Sequence, residues 1–182
     1  TFPPAITQEY DRYLHHAVAS FPDKVIFSNA CIHWIPNHES LLPAIFDKLS
    51  DGGTLAVQIP YIQKAPFYRL LNLLVHTVKW KDLSSIHNFY NLLPEDYYDI
   101  LGRLSDNFNI WETTYYHTVQ SHNGVIEWYK GSGLRPYLDS LSEEKRPEFL
   151  ADLNEIISEN FPRRANGSII LKMPRLFFTA KK

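Results

Sequence analysis

Glycine is scarce and comes late: the 182-residue chain has 7, and the first is Gly52. A nucleotide-binding α/β domain opens on a strand and a glycine-rich turn, because glycine lets the backbone approach a ligand at positive φ. Residues 1–51 hold no such loop. Cysteine is rarer still. Cys31 stands alone, which excludes an intramolecular disulfide framework and a cysteine-based zinc site, and suits a reducing compartment. Neither sign of charge is in excess: 18 Lys plus Arg face 20 Asp plus Glu, with a formal net charge of -2 and a pI near 6.4. The basic surplus of a nucleic-acid or anionic-membrane binder is missing. No apolar run reaches the roughly 18 residues of a membrane span, and the N-terminus shows neither a basic patch nor a signal-like apolar core. A cytoplasmic, unexported protein with no nucleic-acid or membrane partner is expected.

With 45% hydrophobic residues the chain is long enough for one domain with a sizeable core. Residues 5–21 read as a helix carrying Tyr10, Leu14, Val18 and Phe21, ended by Pro22. Lys24-Val-Ile-Phe-Ser28 has strand composition and runs into Asn29-Ala-Cys-Ile-His-Trp34. A helix from Asn37 or His38, with Leu41, Leu42, Ile45, Phe46 and Leu49 on one face, stops at Ser50-Asp-Gly-Gly53 before a strand over 54–59. Strand, helix and strand make one right-handed crossover of a parallel sheet. Helices are expected over 66–80, from Pro94, over 124–130 and over 142–160, the last capped by Ser142, with 131–137 as a connection. Residues 108–119 alternate as a long strand. Residues 168–171 and 176–180 form an extended pair or one strand bent at Pro174.

Templates for hydrolases and NTPases are absent: there is no G-x-S-x-G, H-E-x-x-H or G-x-x-x-x-G-K-[ST]. Among the 8 histidines, neither His15/His16 nor His33/His38 has the spacing of one helix face, so no metal site is expected. The loop after the first strand says more. In open parallel sheets ligands bind beyond the carboxyl ends of the strands, which places Asn29 and His33 as polar candidates and Trp34 as a wall for a flat ligand. The alternative, with Trp34 in the core and His33 at the surface, has equal standing at this point.

Val25-Ile-Phe-Ser-Asn-Ala-Cys-Ile-His-Trp34 and Leu49-Ser-Asp-Gly-Gly-Thr-Leu-Ala-Val-Gln58 resemble the fourth and fifth strands of class I S-adenosylmethionine-dependent methyltransferases. Pro94-Glu-Asp-Tyr-Tyr-Asp-Ile-Leu101, Ile110-Trp-Glu-Thr-Thr-Tyr-Tyr-His117, Ile126-Glu-Trp-Tyr-Lys-Gly-Ser-Gly-Leu-Arg-Pro-Tyr137 and Pro174-Arg-Leu-Phe177 are more specific. In order and spacing they resemble the trans-aconitate 2-methyltransferase family, over roughly residues 24–182. That family's glycine-rich loop and the acidic residue ending its second strand have no counterpart here, so the resemblance implies that these residues alone bind the cofactor poorly or not at all.

The implied fold is α/β: a Rossmann-like class I methyltransferase sheet, incomplete in its N-terminal half, with helical cap insertions. It would be one domain over 1–182, with an N-terminal helical piece to residue 23, a strand-helix-strand core at 24–60, a helical cap at 61–106, and C-terminal strands at 107–182 interrupted by helices at 121–162. The implied cofactor is S-adenosyl-L-methionine, met by Asn29, Ala30, His33 and Trp34, and the partner a small carboxylate. Methylation of a carboxylate needs no general base, since the acid is ionised at neutral pH, so no catalytic acid or base is expected. Arg135 is the leading clamp for unreacting carboxylates, because guanidinium pairs with them bidentately. Tyr115, Tyr116 and His117 would donate hydrogen bonds and Trp128 would form an apolar wall. Strand alternation sends Tyr115 and Tyr116 to opposite faces, one of them for packing; Arg163, Arg164 and Arg175 rank lower. A different small carboxylic acid, or a non-catalytic cofactor-free binding role, are the competing readings.

Overall fold

Lys24-Val-Ile-Phe-Ser28 forms the centre of β1 (Asp23–Asn29) in a computed structural model that describes residues 23–86 and 89–182. The helix expected over 5–21 lies outside the described residues. After β1 the chain turns at Ala30 (φ 48) into a 3-10 turn, Ile32–Trp34, and enters α1 (His38–Asp47) through Asn37 at φ 59. Asparagine tolerates that left-handed conformation better than most residues. Then β2 (Leu49–Pro60) starts earlier than its composition suggests. The expected turn at Ser50–Gly53 is an irregularity inside the strand: Asp23 pairs with Leu49 but Val25 with Thr54, and Gly52 takes φ 74 to absorb the extra residues.

Next, α2 (Pro66–Val75) is shorter than the expected 66–80. Thr77 Oγ donates to the Leu74 carbonyl at 2.7 Å, and Trp80 leaves the helix to bury itself in the following turn. α3 (Pro94–Leu104) begins at the expected proline, with Asp96 Oδ2 accepting from the Leu93 amide at 3.0 Å. β3 (Phe108–Val119) is followed by α4 (His122–Lys130), whose Ser121 Oγ accepts from the Gly124 amide at 3.0 Å. The 131–137 stretch is not a simple connection, because α5 (Arg135–Ser140) starts within it, its first turn pre-formed by Pro136. α6 (Lys145–Asn160) begins after Ser142, whose carbonyl closes a preceding turn to the Lys145 amide at 3.0 Å. β4 (Ile169–Lys181) runs continuously through Pro174.

The chain divides into two compact units. One holds the described residues through Ile59 with Phe89–Trp111 and Leu176–Lys182. The sheet order is β1-β2-β4-β3, with β1 and β2 parallel. β4 is antiparallel to β2 and β3: the Lys182 amide donates to Gly53 at 2.8 Å at the start of β2, and the Lys181 amide donates to Asn107 at 2.9 Å just before β3. Ile26, Leu55, Val57, Ile59, Leu176 and Phe178 are buried, and Tyr97 of α3 stacks on Phe178 at 5.2 Å. Each such side chain contributes about 1.5–3 kcal/mol of burial. The opposite side of β1 carries Val25 and Phe27, 61% and 70% exposed.

The other unit holds Pro60–Asn88 and Glu112–Arg175. Here α2 and α4 pack on α6 around Phe67, Leu71, Leu74, Val125, Ile126, Phe149, Leu153 and Ile157. Trp80 meets Phe149 edge-on at 5.1 Å. The alternation of buried and exposed positions on these three helices is what makes them amphipathic enough to share one core.

Candidate functional site

In the first unit, attention falls on the carboxyl ends of β1 and β2, where an open parallel sheet leaves room for a ligand. Asn29 and Gln58 are register partners there, and the Ala30 amide donates to the Gln58 carbonyl at 2.9 Å as the chain turns. Gln58 is 8% exposed, yet its Nε2 has no hydrogen-bond partner among the described residues; neither has Ser28 Oγ one residue before Asn29. A buried donor left unpaired costs about 1–3 kcal/mol, so two such groups at the ends of two paired strands call for an explanation.

Beside them the Asn29–Trp34 loop builds an aromatic cluster. His33 is 3% exposed and Trp34 44% exposed, the reverse of a buried tryptophan with a surface histidine. His33 lies 4.8 Å from Trp34 and 5.2 Å from Phe89 by ring centroids, and Trp34 lies 4.7 Å from Phe89. The Tyr90 amide donates to the His33 carbonyl at 2.9 Å and ties the 89–90 segment to the loop. The result is a half-open aromatic wall next to unpaired amide and hydroxyl groups, an arrangement suited to a flat, polar ligand.

The remaining sequence candidates lie in the second unit. His117 of β3 and Trp128 of α4 meet at 5.0 Å, with Trp128 45% exposed. Tyr115 and Tyr116 are both exposed, 45% and 64%, so neither is consumed by packing as strand alternation suggested. Arg135 sits at the start of α5 with its side chain 74% exposed, and its Nε lies 3.5 Å from Asp139 one turn on. A solvated (i, i+4) pair of this kind contributes little, and no hydrogen bond or ion pair joins Arg135 to Tyr115, Tyr116, His117 or Trp128.

Another cluster, in the same unit, was not picked out by the sequence. Phe67 and Tyr129 stack face to face at 3.6 Å, and Tyr68 stands edge-on to Tyr129 at 5.4 Å. The Tyr68 hydroxyl and ring press against the backbone of Gly133, leaving no room there for a Cβ. Burial pushes the Tyr129 hydroxyl up to about 12 and Tyr68 higher still, while the nearby Arg175 guanidinium offsets part of the effect at both. Tyr137 shifts upward from burial too. Arg175 is half-buried on β4, next to Pro174, whose carbonyl accepts from the Tyr61 amide at 2.9 Å just past the end of β2. No carboxylate pairs with Arg175 among the described residues. Tyr68 and Tyr129 were hidden by helical stripes that read as core; the faint signal was Arg175 within Pro174-Arg-Leu-Phe177.

Comparison with known proteins places these residues in context. No protein-family model matches the chain. Trans-aconitate 2-methyltransferase of Klebsiella pneumoniae strain 342 is 38% identical over 162 residues, covering 88% of this chain and 62% of the relative. The protein of that name from Agrobacterium fabrum is 35% identical over 161 residues, 87% of this chain and 63% of its own length. The chain thus spans about three fifths of the curated relatives it matches. Among solved structures, a Bacillus halodurans protein assigned to the methyltransferases is 15% identical, with 91% of this chain and 68% of that one covered at a TM-score of 0.48. A Haemonchus contortus phosphoethanolamine N-methyltransferase, in complex with phosphomonomethylethanolamine and S-adenosylhomocysteine, is 13% identical over 87% of this chain and 33% of its own, TM-score 0.43.

Proposed function

We infer, for a chain homologous over 88% of its length to a trans-aconitate 2-methyltransferase, that it serves a methyltransferase using S-adenosylmethionine and acting on a small polycarboxylate such as trans-aconitate. That homology is the observation carrying the reading. The first unit's strand ends fit the cofactor: the orphaned Gln58 Nε2 and Ser28 Oγ await polar partners, and His33, Trp34 and Phe89 offer a face to a planar base. Asn29, Ala30, His33 and Trp34 would hold the group in this reading. When bound, it supplies an activated methyl on a sulfonium, and the product is a monomethyl ester.

The protein's own work is then placement rather than proton transfer. An ionised carboxylate is already a nucleophile at neutral pH, and holding it in line with water excluded is worth about 7–11 kcal/mol of the barrier. His117, Trp128, Tyr115 and Tyr116 are proposed to line the acceptor, the exposed tyrosine hydroxyls as donors; Arg135, engaged with Asp139, is a lesser contributor. The test is methyl transfer from labelled S-adenosylmethionine by the full-length protein. Labelled ester from trans-aconitate supports the reading, turnover of a monocarboxylic acid only would change the acceptor class, and neither turnover nor S-adenosylhomocysteine binding would overturn it.

A further inference from the structure

We propose that His38 and Tyr97 are positioning residues for the aromatic wall of His33, Trp34 and Phe89, and that this buried pair sets how tightly the wall holds a flat ligand. The proposal rests on the reading above, in which the wall receives the base of S-adenosylmethionine, and adds to it the residues that keep the wall in shape.

The wall is assembled from two separate stretches of chain. His33 and Trp34 follow β1, Phe89 precedes α3, and their ring centroids lie 4.7, 4.8 and 5.2 Å apart. Local structure does little to fix either stretch. The first has a single 3-10 turn, entered through Ala30 at φ 48, a left-handed conformation that alanine resists; residues 89–93 have no regular structure. A hydrogen-bonded path through the core joins the two. His38 Nε2 donates to the Ile32 carbonyl at 2.9 Å, next to His33. Its Nδ1 accepts from the Tyr97 hydroxyl at 2.5 Å, and that same oxygen accepts from the Leu92 amide at 3.3 Å, three residues from Phe89. The Tyr90 amide, donating to the His33 carbonyl at 2.9 Å, closes the circuit. The pair has a firm base: both residues are fully buried, and Tyr97 stacks on Phe178 of β4 at 5.2 Å. For packing alone a leucine and a phenylalanine would serve, without withdrawing polar groups from water. Imidazole and phenol bond at both ends of the path, so the loops they join account for their presence in the core. A wall held in this way need not be ordered by its ligand, and preorganisation of that kind raises affinity.

The test uses the full-length protein, with S-adenosylhomocysteine as the probe and calorimetry well below the melting temperature. Tyr97→Phe keeps the ring on Phe178 and removes the linking hydroxyl. It is expected to weaken S-adenosylhomocysteine about fivefold to tenfold, the worth of one hydrogen bond. In a Trp34→Ala background the same change should alter affinity by less than about twofold, because the wall it positions is gone. His38→Ala should lose as much as Tyr97→Phe, whereas His38→Gln, with an N–H for Ile32 and an oxygen for Tyr97, should stay within about threefold of wild type. A pair serving stability alone would lower the melting temperature and leave the affinity of the folded protein unchanged. Wild-type affinity in Tyr97→Phe and His38→Ala, equal losses in His38→Gln and His38→Ala, or a Tyr97→Phe loss undiminished without Trp34 would each overturn the proposal while the cofactor reading stands. If the wild type binds no S-adenosylhomocysteine, the cofactor reading fails and the Trp34 indole N–H resonance, identified by its absence from Trp34→Ala, decides. A shift or broadening in Tyr97→Phe then supports the positioned wall, and an unchanged signal overturns it.

Discussion

His38 Nδ1 and Tyr97 Oη lie 2.5 Å apart with both residues fully buried. Nε2 of His38 is 2.9 Å from the Ile32 carbonyl. A carbonyl only accepts, so the proton sits on Nε2 and Nδ1 takes the hydrogen bond donated by Tyr97. The Leu92 amide, 3.3 Å from Tyr97 Oη, donates to the same oxygen. One neutral imidazole thus ties α1, α3 and the 3-10 turn of the Asn29–Trp34 loop together.

Acid should loosen this tie. Burial holds the His38 pKa below its usual 6.5, outweighing the raising effects of the Ile32 and Ile35 carbonyls and Glu39. The unfolded chain therefore binds the proton first, and stability present above pH 6.5 is lost as pH falls below it, by up to about 1.4 kcal/mol per pH unit. Urea unfolding at pH 7 and pH 5 is expected to show a drop that His38→Asn reduces. Parallel pH profiles for wild type and variant would contradict a neutral, buried His38.

Asp152 carries a second tie, in the other unit. Its Oδ2 accepts from Lys79 Nζ at 2.6 Å and from Trp80 Nε1 at 2.8 Å. Partial burial works against the charge, but these two bonds outweigh it and keep the carboxyl below its ordinary range. Replacing Asp152 by Ala leaves the indole N–H of nearly buried Trp80 without an acceptor, at a cost of about 1–3 kcal/mol. Asp152→Asn retains an oxygen for Trp80 and should cost less. Denaturant midpoints that rank the two variants in the opposite order would show that charge, rather than the indole bond, dominates.

Much of this architecture was legible from local pattern. The strand at 24–28, the helix after Asn37 and the helix opened by Pro94 all follow from apolar spacing and backbone chemistry, and the structure places them within a few residues of expectation. Where local signals misled, a long-range partner had won. Trp80 leaves the helical period because Asp152, 72 residues away, takes its N–H. Glycines 52 and 53 read as a turn, yet Lys182 pairs with them and extends the strand. The candidate side chains follow the same rule: His33 and Trp34 are contiguous and stand out in the sequence, whereas the ring cluster of Phe67, Tyr68 and Tyr129 forms only through the tertiary fold.

Gly133 is required by volume. A methyl group at this position would overlap Tyr68 Cε1 and Cζ, 2.5 and 2.8 Å from the added carbon. Tyr68 cannot swing away freely, because its ring meets Phe67 and Tyr129 edge-on. Gly133→Ala should therefore cost about 1–3 kcal/mol, and a Gly133→Ala/Tyr68→Leu double variant should cost less than the sum of the single changes, since removing the tyrosine ring relieves the clash. Additive thermal shifts in that cycle would place the strain elsewhere.

Gln58 allows function to be separated from stability. Its Nε2 is buried without a partner among the described residues, at the end of β2 beside Asn29. If the amide is there for a ligand, the free fold carries the desolvation penalty of an unmade hydrogen bond and the bound state recovers it. Gln58→Met keeps the volume and removes the polar group, and is expected to stabilise the ligand-free protein by about 1 kcal/mol. The same change should weaken S-adenosylhomocysteine about fivefold to tenfold, the worth of one hydrogen bond. Stability and affinity then move in opposite directions, a pattern that a packing role cannot produce: a residue serving only the core would lose stability on substitution, and affinity would fall with it or not at all. Thermal melts of the free protein alongside calorimetric titration read both quantities on the same sample.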